Sequence, residues 1–273
     1  MPRAPSPISR VLRNFVDGFE KQIAPLSLAE AWDNVGMLVE CPSATSISKL
    51  SVLTCIDLTN EVVSEAITHK CNLIVSYHPV LFRPVHSLSM KHQSPVLRCI
   101  ENGINIFVPH TALDTAPNGM NDYISDLFLD LQVDRLGIKE SPVPGYSIGR
   151  LITLKEKVAL TDIISIIKSK LSVDRVRFAT AGTLTDREID SIAVCVGSGS
   201  SVLNGSEAGL YLTGEMTHHD ILAAKASGKS VVLLDHSSSE RPFLPELAKR
   251  LAILENVDSV AVSQADVEPI RSV

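Results

Sequence analysis

The sequence predicts an α/β protein made of two α/β domains with mainly parallel sheets. Short apolar β-branched runs, such as residues 73–75, alternate with segments whose apolar residues recur at helical spacing. The chain has 273 residues, which is enough for two domains of ordinary size. Two prolines and a glycine within residues 141–145 interrupt the alternation. We therefore expect a first domain in residues 1–140 and a second in residues 145–273, and the segment after about residue 236 is a candidate to return to the first.

The first half of the chain contains alternating helices and strands. Residues 6–23 form a predicted amphipathic helix that ends before Pro25, because proline removes a backbone donor. Thr59 is a suitable N-cap for a helix at residues 60–68. The other predicted elements are strands at 36–40, 50–57, 73–75 and 104–108 and helices at 94–102 and 121–131. Strands that alternate with helices in this way pair in parallel through right-handed crossovers.

The second half shows a similar alternation without a sequence repeat. Apolar runs predict strands at residues 147–154, 176–179, 192–196, 211–213 and 231–234, with a last edge strand at 257–262. Helical spacing predicts helices at 161–171 and 243–254 and a short one at 202–208. Both halves are therefore expected to contain a sheet covered by helices.

Composition limits the classes of function. Hydrophobic residues make up 45% of the chain and charged residues 21%, which is typical of a globular protein rather than a disordered one. The net charge is −6 and the isoelectric point is about 5.8, so we expect no direct nucleic-acid binding. No apolar run approaches the roughly 18 residues that a membrane span requires. We expect no membrane association.

Cysteine usage indicates a reducing compartment. The five cysteines are odd in number and form no Cys-x-x-Cys motif, so they are interpreted as small buried hydrophobic residues. The cytoplasm is the expected location. Mitochondrial and nuclear locations are the alternatives, and the first 16 residues, with Arg3, Arg10 and Arg13 and no acidic residue, faintly resemble a mitochondrial transit peptide.

Three buried strands end in side chains that can bind a metal ion. His78 follows the strand at 73–75, and His110 and Asp114 follow the strand at 104–108. The carboxyl edge of an open α/β sheet is where ligands bind. Imidazole nitrogen and carboxylate oxygen are ligands for zinc, manganese, iron and similar divalent ions. The alternative interpretation is a set of unrelated strand ends that never meet.

The third strand end adds a histidine and a carboxylate in helical spacing. His236 follows the strand at 231–234, and Glu240 comes four residues later. If a helix begins near Ser237, residues four apart lie on one face. His236 and Glu240 are therefore predicted to reach one ion together.

Two further segments carry candidate functional groups. Glycines and serines follow the strand at 192–196 and suit an anion site, with a tight turn as the alternative; they are Gly197, Ser198, Gly199 and Ser200. Glu215 follows the strand at 211–213 and is a candidate general base. His218 and His219 are adjacent, so on a helix they point about 100° apart and do not easily share one ion. The alternative for this segment is a polar capped turn.

Five ordered motifs resemble the signatures of the NIF-three-like family, whose bacterial members are labelled type-2 homologues of GTP cyclohydrolase I. They start at Trp32, Tyr77, His110, Tyr211 and Asp235, and together they span about residues 31–242. The resemblance is to the form without the long central insertion. It implies two α/β domains with a metal site in the cleft between them, and homo-oligomers of dimers or larger.

The resemblance also implies a ligand set. The family's metal ligands correspond to His78, Asp114, His236 and Glu240. The family's bacterial pattern has His-His-Pro where this chain has Tyr77 before His78, so one nitrogen ligand is lost. A second ion would then bind more weakly, not bind at all, or use His110 as its replacement ligand. The expected content is therefore one or two divalent ions per chain. Asp33 is expected in a second shell or a domain contact.

Two functions are compatible with these features. The first is a metal-dependent hydrolase for a small substrate that is phosphorylated, heterocyclic or nucleotide-like, with Glu215 or His219 moving protons. GTP ring opening is one version of it. The second is a metal-containing interaction protein without catalysis, because the family's name comes from association with a transcriptional co-regulator.

Overall fold

A computed structural model describes residues 9–270. The helices of this part of the chain are α1 (Arg10–Gln22), α2 (Asn60–Thr68), α3 (Ser94–Glu101), α4 (Thr111–Thr115), α5 (Met120–Ser125), α6 (Leu160–Leu171), α7 (Ser200–Leu203), α8 (His218–Ala226), α9 (His236–Glu240) and α10 (Leu244–Ala252). The strands are β1 (Gly36–Val39), β2 (Leu50–Cys55), β3 (Leu73–Ser76), β4 (Asn105–Val108), β5 (Gln132–Glu140), β6 (Ser147–Ala159), β7 (Arg177–Ala179), β8 (Glu188–Ser198), β9 (Leu210–Glu215), β10 (Ser230–Leu233) and β11 (Val257–Val262).

The chain divides into two compact units. Unit 1 contains the described residues up to Leu113 and those from Phe243 onward, and unit 2 is Asp114–Pro242. The division differs from the predicted boundary at 141–145. Those residues form the turn between β5 and β6, which pair antiparallel from Glu140 with Ser147. A turn rich in proline and glycine marks a hairpin as readily as a linker, because both need the same backbone conformations.

Unit 1 contains a five-stranded sheet in the order β1-β4-β3-β2-β11. The four strands from β4 to β11 are parallel, and β1 pairs antiparallel with β4 at the edge. All residues of β3 and β4 are buried, as their apolar runs predict for strands covered on both faces. The predicted mainly parallel sheet is confirmed for this unit.

Helices cover both faces of the unit 1 sheet. Phe15 and Phe19 of α1 pack against Phe107 of β4, with ring centroids 5.4 and 4.9 Å apart. The neighbours of Phe107 in β4 instead join a cluster with residues of α2 and α3, such as Val62 and Val96. Because successive side chains of a strand point to opposite faces, α1 lies on one side of the sheet and α2 and α3 lie on the other.

Unit 2 contains a six-stranded sheet in the order β5-β6-β8-β9-β10-β7. The central strands β8, β9 and β10 are parallel, whereas β5, β6 and β7 pair antiparallel with their neighbours. The sheet is therefore mixed, and the prediction of a mainly parallel sheet is wrong here. A short turn joins β5 to β6, and only antiparallel strands can be joined in that way.

Most predicted elements occur within a few residues of their expected positions. The predicted first helix is observed from Arg10, with the Ser9 hydroxyl accepting from the Leu12 N–H, and residues 6–8 of that prediction lie outside the described part. The predicted helix at 121–131 is shorter, because α5 ends at Ser125 and a 3-10 turn follows. Strand β5 was not predicted, since its side chains are intermediate or exposed and leave no apolar run.

Two further predictions concern the cysteines and the membrane. All five cysteines are buried and none forms a disulfide, as expected. Within residues 9–270, the helices are too short or too polar for any of them to cross a membrane.

Candidate metal centre

Strand register places two histidines of unit 1 side by side. In the parallel pair β3 and β4, Val75 lies opposite Phe107. His78 and His110 each come three residues after these partners, so both leave the sheet at the same edge. Their ring centroids are 5.4 Å apart. The two motifs that the sequence singles out in this half therefore converge.

Each of these histidines donates a hydrogen bond to a carboxylate. His78 Nδ1 lies 2.9 Å from Asp57 Oδ1, and His110 Nδ1 lies 2.7 Å from Asp33 Oδ1. Register explains the first pair, because Cys55 of β2 is opposite Ser76 of β3, and Asp57 and His78 each follow two residues later. A carboxylate on Nδ1 fixes the ring and directs Nε2 outward, which is the usual second shell of a metal-binding histidine.

Asp33 anchors the start of α4 as well as His110. Its side chain is fully buried, and its Oδ2 accepts from the Thr111 hydroxyl at 2.5 Å and the Thr111 N–H at 3.2 Å. Burial by itself would raise the pKa of Asp33, but the hydrogen bonds from His110 and Thr111 outweigh it and hold the pKa below its ordinary value. Asp33 therefore holds both the His110 ring and the start of α4, and its place in the second shell of a metal stays a prediction.

Tyr77 packs within the same group of rings. Its side chain is only 1% exposed, and its ring centroid lies 4.9 Å from that of His78 and 5.3 Å from that of His110.

His110 has a φ of +33°, a conformation that costs energy for a residue with a side chain and is common at functional sites. The strand end of β4 is therefore strained where it presents His110.

In unit 2, α9 carries the histidine and glutamate predicted to act together. His236 Nε2 lies 3.4 Å from Glu240 Oε1, and the Glu240 side chain is only 2% exposed. The two residues are four apart on one helical face, as expected. His236 and Glu240 form a His/Glu pair with donor atoms suited to a divalent ion.

Glu215 holds the ring of His236. Its Oε1 accepts from His236 Nδ1 at 2.9 Å. In the parallel pair β9 and β10, Thr213 lies opposite Leu233, so Glu215 and Asp235 both come two residues beyond the paired positions and Glu215 reaches the start of α9. Asp235 has a φ of +67°, which turns the chain sharply from β10 into α9. His236 thus repeats the carboxylate–histidine arrangement of unit 1.

The glycine turn after β8 lies against α9. A Cβ added at Gly197 would lie 2.6 Å from Glu240 Oε1 and 3.2 Å from His236 Nε2, so only glycine allows this approach. The Gly197 N–H donates to Ser239 Oγ at 2.8 Å, and the Gly199 N–H donates to Thr213 Oγ1 at 3.1 Å. Both N–H groups are engaged within the protein. Anion binding at Gly197, Ser198, Gly199 and Ser200 stays a prediction without support from these donors.

Asp114 lies at the start of unit 2 and is linked through Asn121 to strand β8. Asn121 Nδ2 donates to the Asp114 carbonyl at 3.0 Å, and Asn121 Oδ1 accepts from the Val196 N–H at 3.0 Å. Burial, followed by the negative charges of Asp114 and Glu240, raises the pKa of the Cys195 thiol. Both carboxylates therefore lie close enough to Cys195 for their charges to act on it.

The remaining candidates lie at the start of α8. Thr217 caps the helix by accepting from the Asp220 N–H at 3.2 Å. His218 and His219 are exposed, and their ring centroids are 5.5 Å apart. Roles for His218 and His219 in metal binding or proton transfer stay predictions.

Two carboxylates make contacts with histidines that the sequence does not predict. Asp57 was read as the last residue of a strand, although a carboxylate directly beyond a buried strand is the signal that identified the other strand ends. Glu215 is a candidate general base, and the structure adds that its Oε1 accepts a hydrogen bond from His236 Nδ1; its catalytic role stays a prediction. Neither pairing is visible in the sequence, because the partners are 21 residues apart in both cases and meet only through strand register.

Comparison with known proteins agrees with this description. A family model described as Duf34/NIF3 (NGG1p interacting factor 3) matches residues 12–269. Protein NIF3 homolog of Schizosaccharomyces pombe is 37% identical over 90% of this chain and 92% of its own length. NGG1-interacting factor 3 of Saccharomyces cerevisiae is 33% identical over 88% and 90%.

Solved structures show a similar fold. The crystal structure of Staphylococcus aureus protein SA1388 superposes with a TM-score of 0.80 at 25% identity, covering 98% of this chain and 100% of that one. The predicted α/β class and family are therefore confirmed. Because the family model spans nearly the whole chain and relatives are more than 30% identical over most of it, the chain belongs to the Duf34/NIF3 family.

Proposed function

We propose that the protein is a metal-dependent hydrolase acting on a small phosphorylated, heterocyclic or nucleotide-like substrate. The observation that carries the proposal is a repeated arrangement in which His78, His110 and His236 each donate Nδ1–H to a carboxylate at 2.7 to 2.9 Å. Metal-binding histidines almost always donate the other ring N–H to a carboxylate, a backbone carbonyl or water, and this arrangement matches that pattern three times. The donor set, imidazole nitrogen with buried carboxylate, fits zinc, manganese or iron.

The proposed ligands are His78 from unit 1 and Asp114, His236 and Glu240 from unit 2. That these four residues bind one ion is inferred from ligand chemistry and from the resemblance to the family. His110 is the proposed nitrogen ligand for a second ion, and Asp33 orients it. The buried ring of Tyr77 stands where the family pattern has a further histidine, so we propose one full site and a weaker second one.

A bound divalent ion would lower the pKa of its water ligand toward about 7 and polarise the substrate. The residues of the chain prepare that chemistry. Asp57 and Glu215 fix the rings of His78 and His236, so little reorganisation is needed when a ligand binds. Glu240 supplies a buried negative charge beside His236. His219, exposed at the start of α8, is the proposed group that moves protons to and from solvent.

Glu215→Gln is expected to weaken metal binding by about 10- to 100-fold, the usual effect of removing a second-shell partner. The amide keeps the shape of the side chain but loses the charge that stabilises the His236 ring orientation. Isothermal titration with zinc measures the effect. Glu207→Gln, an exposed glutamate of the same unit, is the matched control and should leave affinity unchanged. Equal zinc affinities for the two variants would show that Glu215 does not support a metal ligand.

The hydrolase itself is tested by metal content and chelation. Protein purified without chelator should contain one to two equivalents of a divalent metal by elemental analysis. It should release phosphate or a ring-opened product from members of a nucleotide panel, and a chelator should abolish that activity. A preparation that contains metal but hydrolyses no member of the panel would contradict the proposal that the protein is a hydrolase.

A second function is favoured by one comparison. The Saccharomyces cerevisiae relative is named as an NGG1-interacting factor. We propose as the alternative that this chain binds a transcriptional co-regulator and that the metal is structural. Partner binding that is unchanged by chelation, together with the absence of chelator-sensitive hydrolysis, would favour this alternative.

We also propose an assembly state and a location for the protein. A homo-oligomer, a dimer or larger, is inferred from the family resemblance and from the high aliphatic content, with a mean hydropathy of +0.18. A light-scattering mass equal to one chain at micromolar concentration would contradict the proposed homo-oligomer.

The cytoplasm is the proposed location because all five cysteines are reduced and buried.

A further inference from the structure

Two exposed aromatic side chains of unit 1 form a right-angled surface beside the histidines. Trp32 is 59% exposed and Phe82 is 44% exposed. Their ring centroids are 5.8 Å apart and their planes are inclined by 71°. We call this pair the aromatic corner. An isolated exposed aromatic residue needs no explanation, but two large rings in mutual contact present a combined apolar surface to a ligand.

The backbone on both sides of the aromatic corner is firmly held. Asp33, next to Trp32, is fixed by the hydrogen bonds from His110 and Thr111. Asn34 Nδ2 donates to the Leu81 carbonyl at 2.5 Å, which ties the Trp32 segment to the residue before Phe82. The segments that carry the two rings are therefore anchored, while both side chains remain partly exposed. Such rigidity suits a preformed binding surface, because little conformational entropy is lost when a ligand binds.

The aromatic corner adjoins the candidate metal ligands of the same unit. The Trp32 ring centroid lies 6.1 Å from that of His110, and His110 lies 5.4 Å from His78. These distances are those of rings in contact. A flat molecule that occupies the corner would therefore reach the histidines with a substituent only a few bonds long.

We propose that the aromatic corner binds the planar heteroaromatic ring of the substrate, such as a nucleobase, by stacking on one ring and contacting the other edge-on. A right-angled pair of rings offers both contacts to a third planar ring. This inference rests on the proposed function and adds to it the residues that would bind the ring, since it places the ring on Trp32 and Phe82 and the group to be hydrolysed near His78 and His110. Neither contact depends on the hydrogen-bonding groups of a particular base, so several bases should bind.

The sequence provides a specific probe, because Trp32 is the only tryptophan of the chain. Adenosine 5′-monophosphate titrated into the full chain in the presence of chelator should quench Trp32 fluorescence in a saturable manner. Ribose 5-phosphate, which lacks the ring, should not. The chelator separates this test from the metal proposal, because ring stacking requires no ion.

Phe82→Ala is expected to weaken adenosine 5′-monophosphate binding by about 5- to 100-fold, the range that follows from loss of one aromatic contact with a base. Phe82→Leu keeps most of the volume and should be intermediate. Leu88→Ala, an exposed apolar residue of the same loop, is the matched control and should bind as wild type does. Circular dichroism confirms that each variant is folded.

Three outcomes would overturn the inference. They are the absence of quenching by adenosine, guanosine and cytidine monophosphates at millimolar concentration, equal quenching by ribose 5-phosphate, and unchanged affinity in folded Phe82→Ala. If mononucleotides fail but an aromatic peptide quenches Trp32, the surface binds a protein and not the substrate ring. Loss of nucleotide binding with normal metal content in Phe82→Ala would support the inference, even if no hydrolysis is found.

Discussion

Replacing His236 with alanine is expected to remove most metal binding and to leave the metal-free fold intact. The His236 ring is half-exposed and contacts Glu215 and Glu240, and the buried strand β10 holds the backbone before it. We expect zinc affinity to fall by more than about 100-fold, because loss of a ligand exceeds loss of a second-shell partner. In chelator, the free energy of unfolding should change by less than about 1 kcal/mol.

Thermal melts with and without zinc measure both parts of this result. An ion that binds only the folded state at 100 times its dissociation constant stabilises it by about 2.7 kcal/mol, and the variant should lose most of that. His69→Ala, an exposed histidine of unit 1, is the matched control and should melt as wild type does in both conditions. If His236→Ala is much less stable than wild type even in chelator, His236 serves packing and is not a ligand.

Replacing Asp122 with asparagine is expected to destabilise unit 2 by about 3 kcal/mol, because removing one partner of a buried ion pair leaves the other charge uncompensated. Asp122 is buried and receives Arg150 Nε at 2.6 Å and Arg150 Nη2 at 3.0 Å. Its Oδ2 also accepts from the Asn118 N–H at 2.8 Å. The asparagine fits the space but cannot neutralise the guanidinium. Urea denaturation followed by circular dichroism measures the loss.

The effect of Asp122→Asn should depend on pH. Burial would raise the pKa of Asp122, but the hydrogen bonds and charge of Arg150 outweigh it and hold the pKa below its ordinary value. A lowered carboxyl pKa contributes stability above the unfolded-state pKa of about 3.9 and loses it as the pH falls through the folded-state value. The stability difference between wild type and variant should therefore begin to shrink below about pH 4 and disappear once the pH falls below the lowered folded-state pKa.

Asp126→Asn provides the control for this prediction. Asp126 also pairs with an arginine, Arg135, but its side chain is 48% exposed. Solvent screens such a pair, so the substitution should cost less than about 1 kcal/mol. Equal losses in the two variants would show that burial of Asp122 is not the cause.

The sequence by itself determined the local features of this protein. Apolar runs that stop at proline or at an ionisable residue identified the ends of β3, β4 and β10, because a buried strand must be apolar and a ligand-binding edge must be polar. Helical spacing of four predicted the pairing of His236 with Glu240 within α9, and the Glu240 side chain lies against the His236 ring. Such features depend on neighbours within a few residues, which the sequence displays directly.

Tertiary structure decided the features that depend on distant residues. Strand register, which the sequence does not reveal, brings Asp57 to His78 and Glu215 to His236, so Glu215, a candidate general base, also contacts a ring that it can orient. The return of the chain to unit 1 at Phe243 and the hairpin of β5 and β6 moved the observed division away from the proline-rich turn. The composition of a turn indicates only its local conformation. The division into units follows from which strands pair, and pairing depends on the burial of apolar residues that are far apart in the sequence.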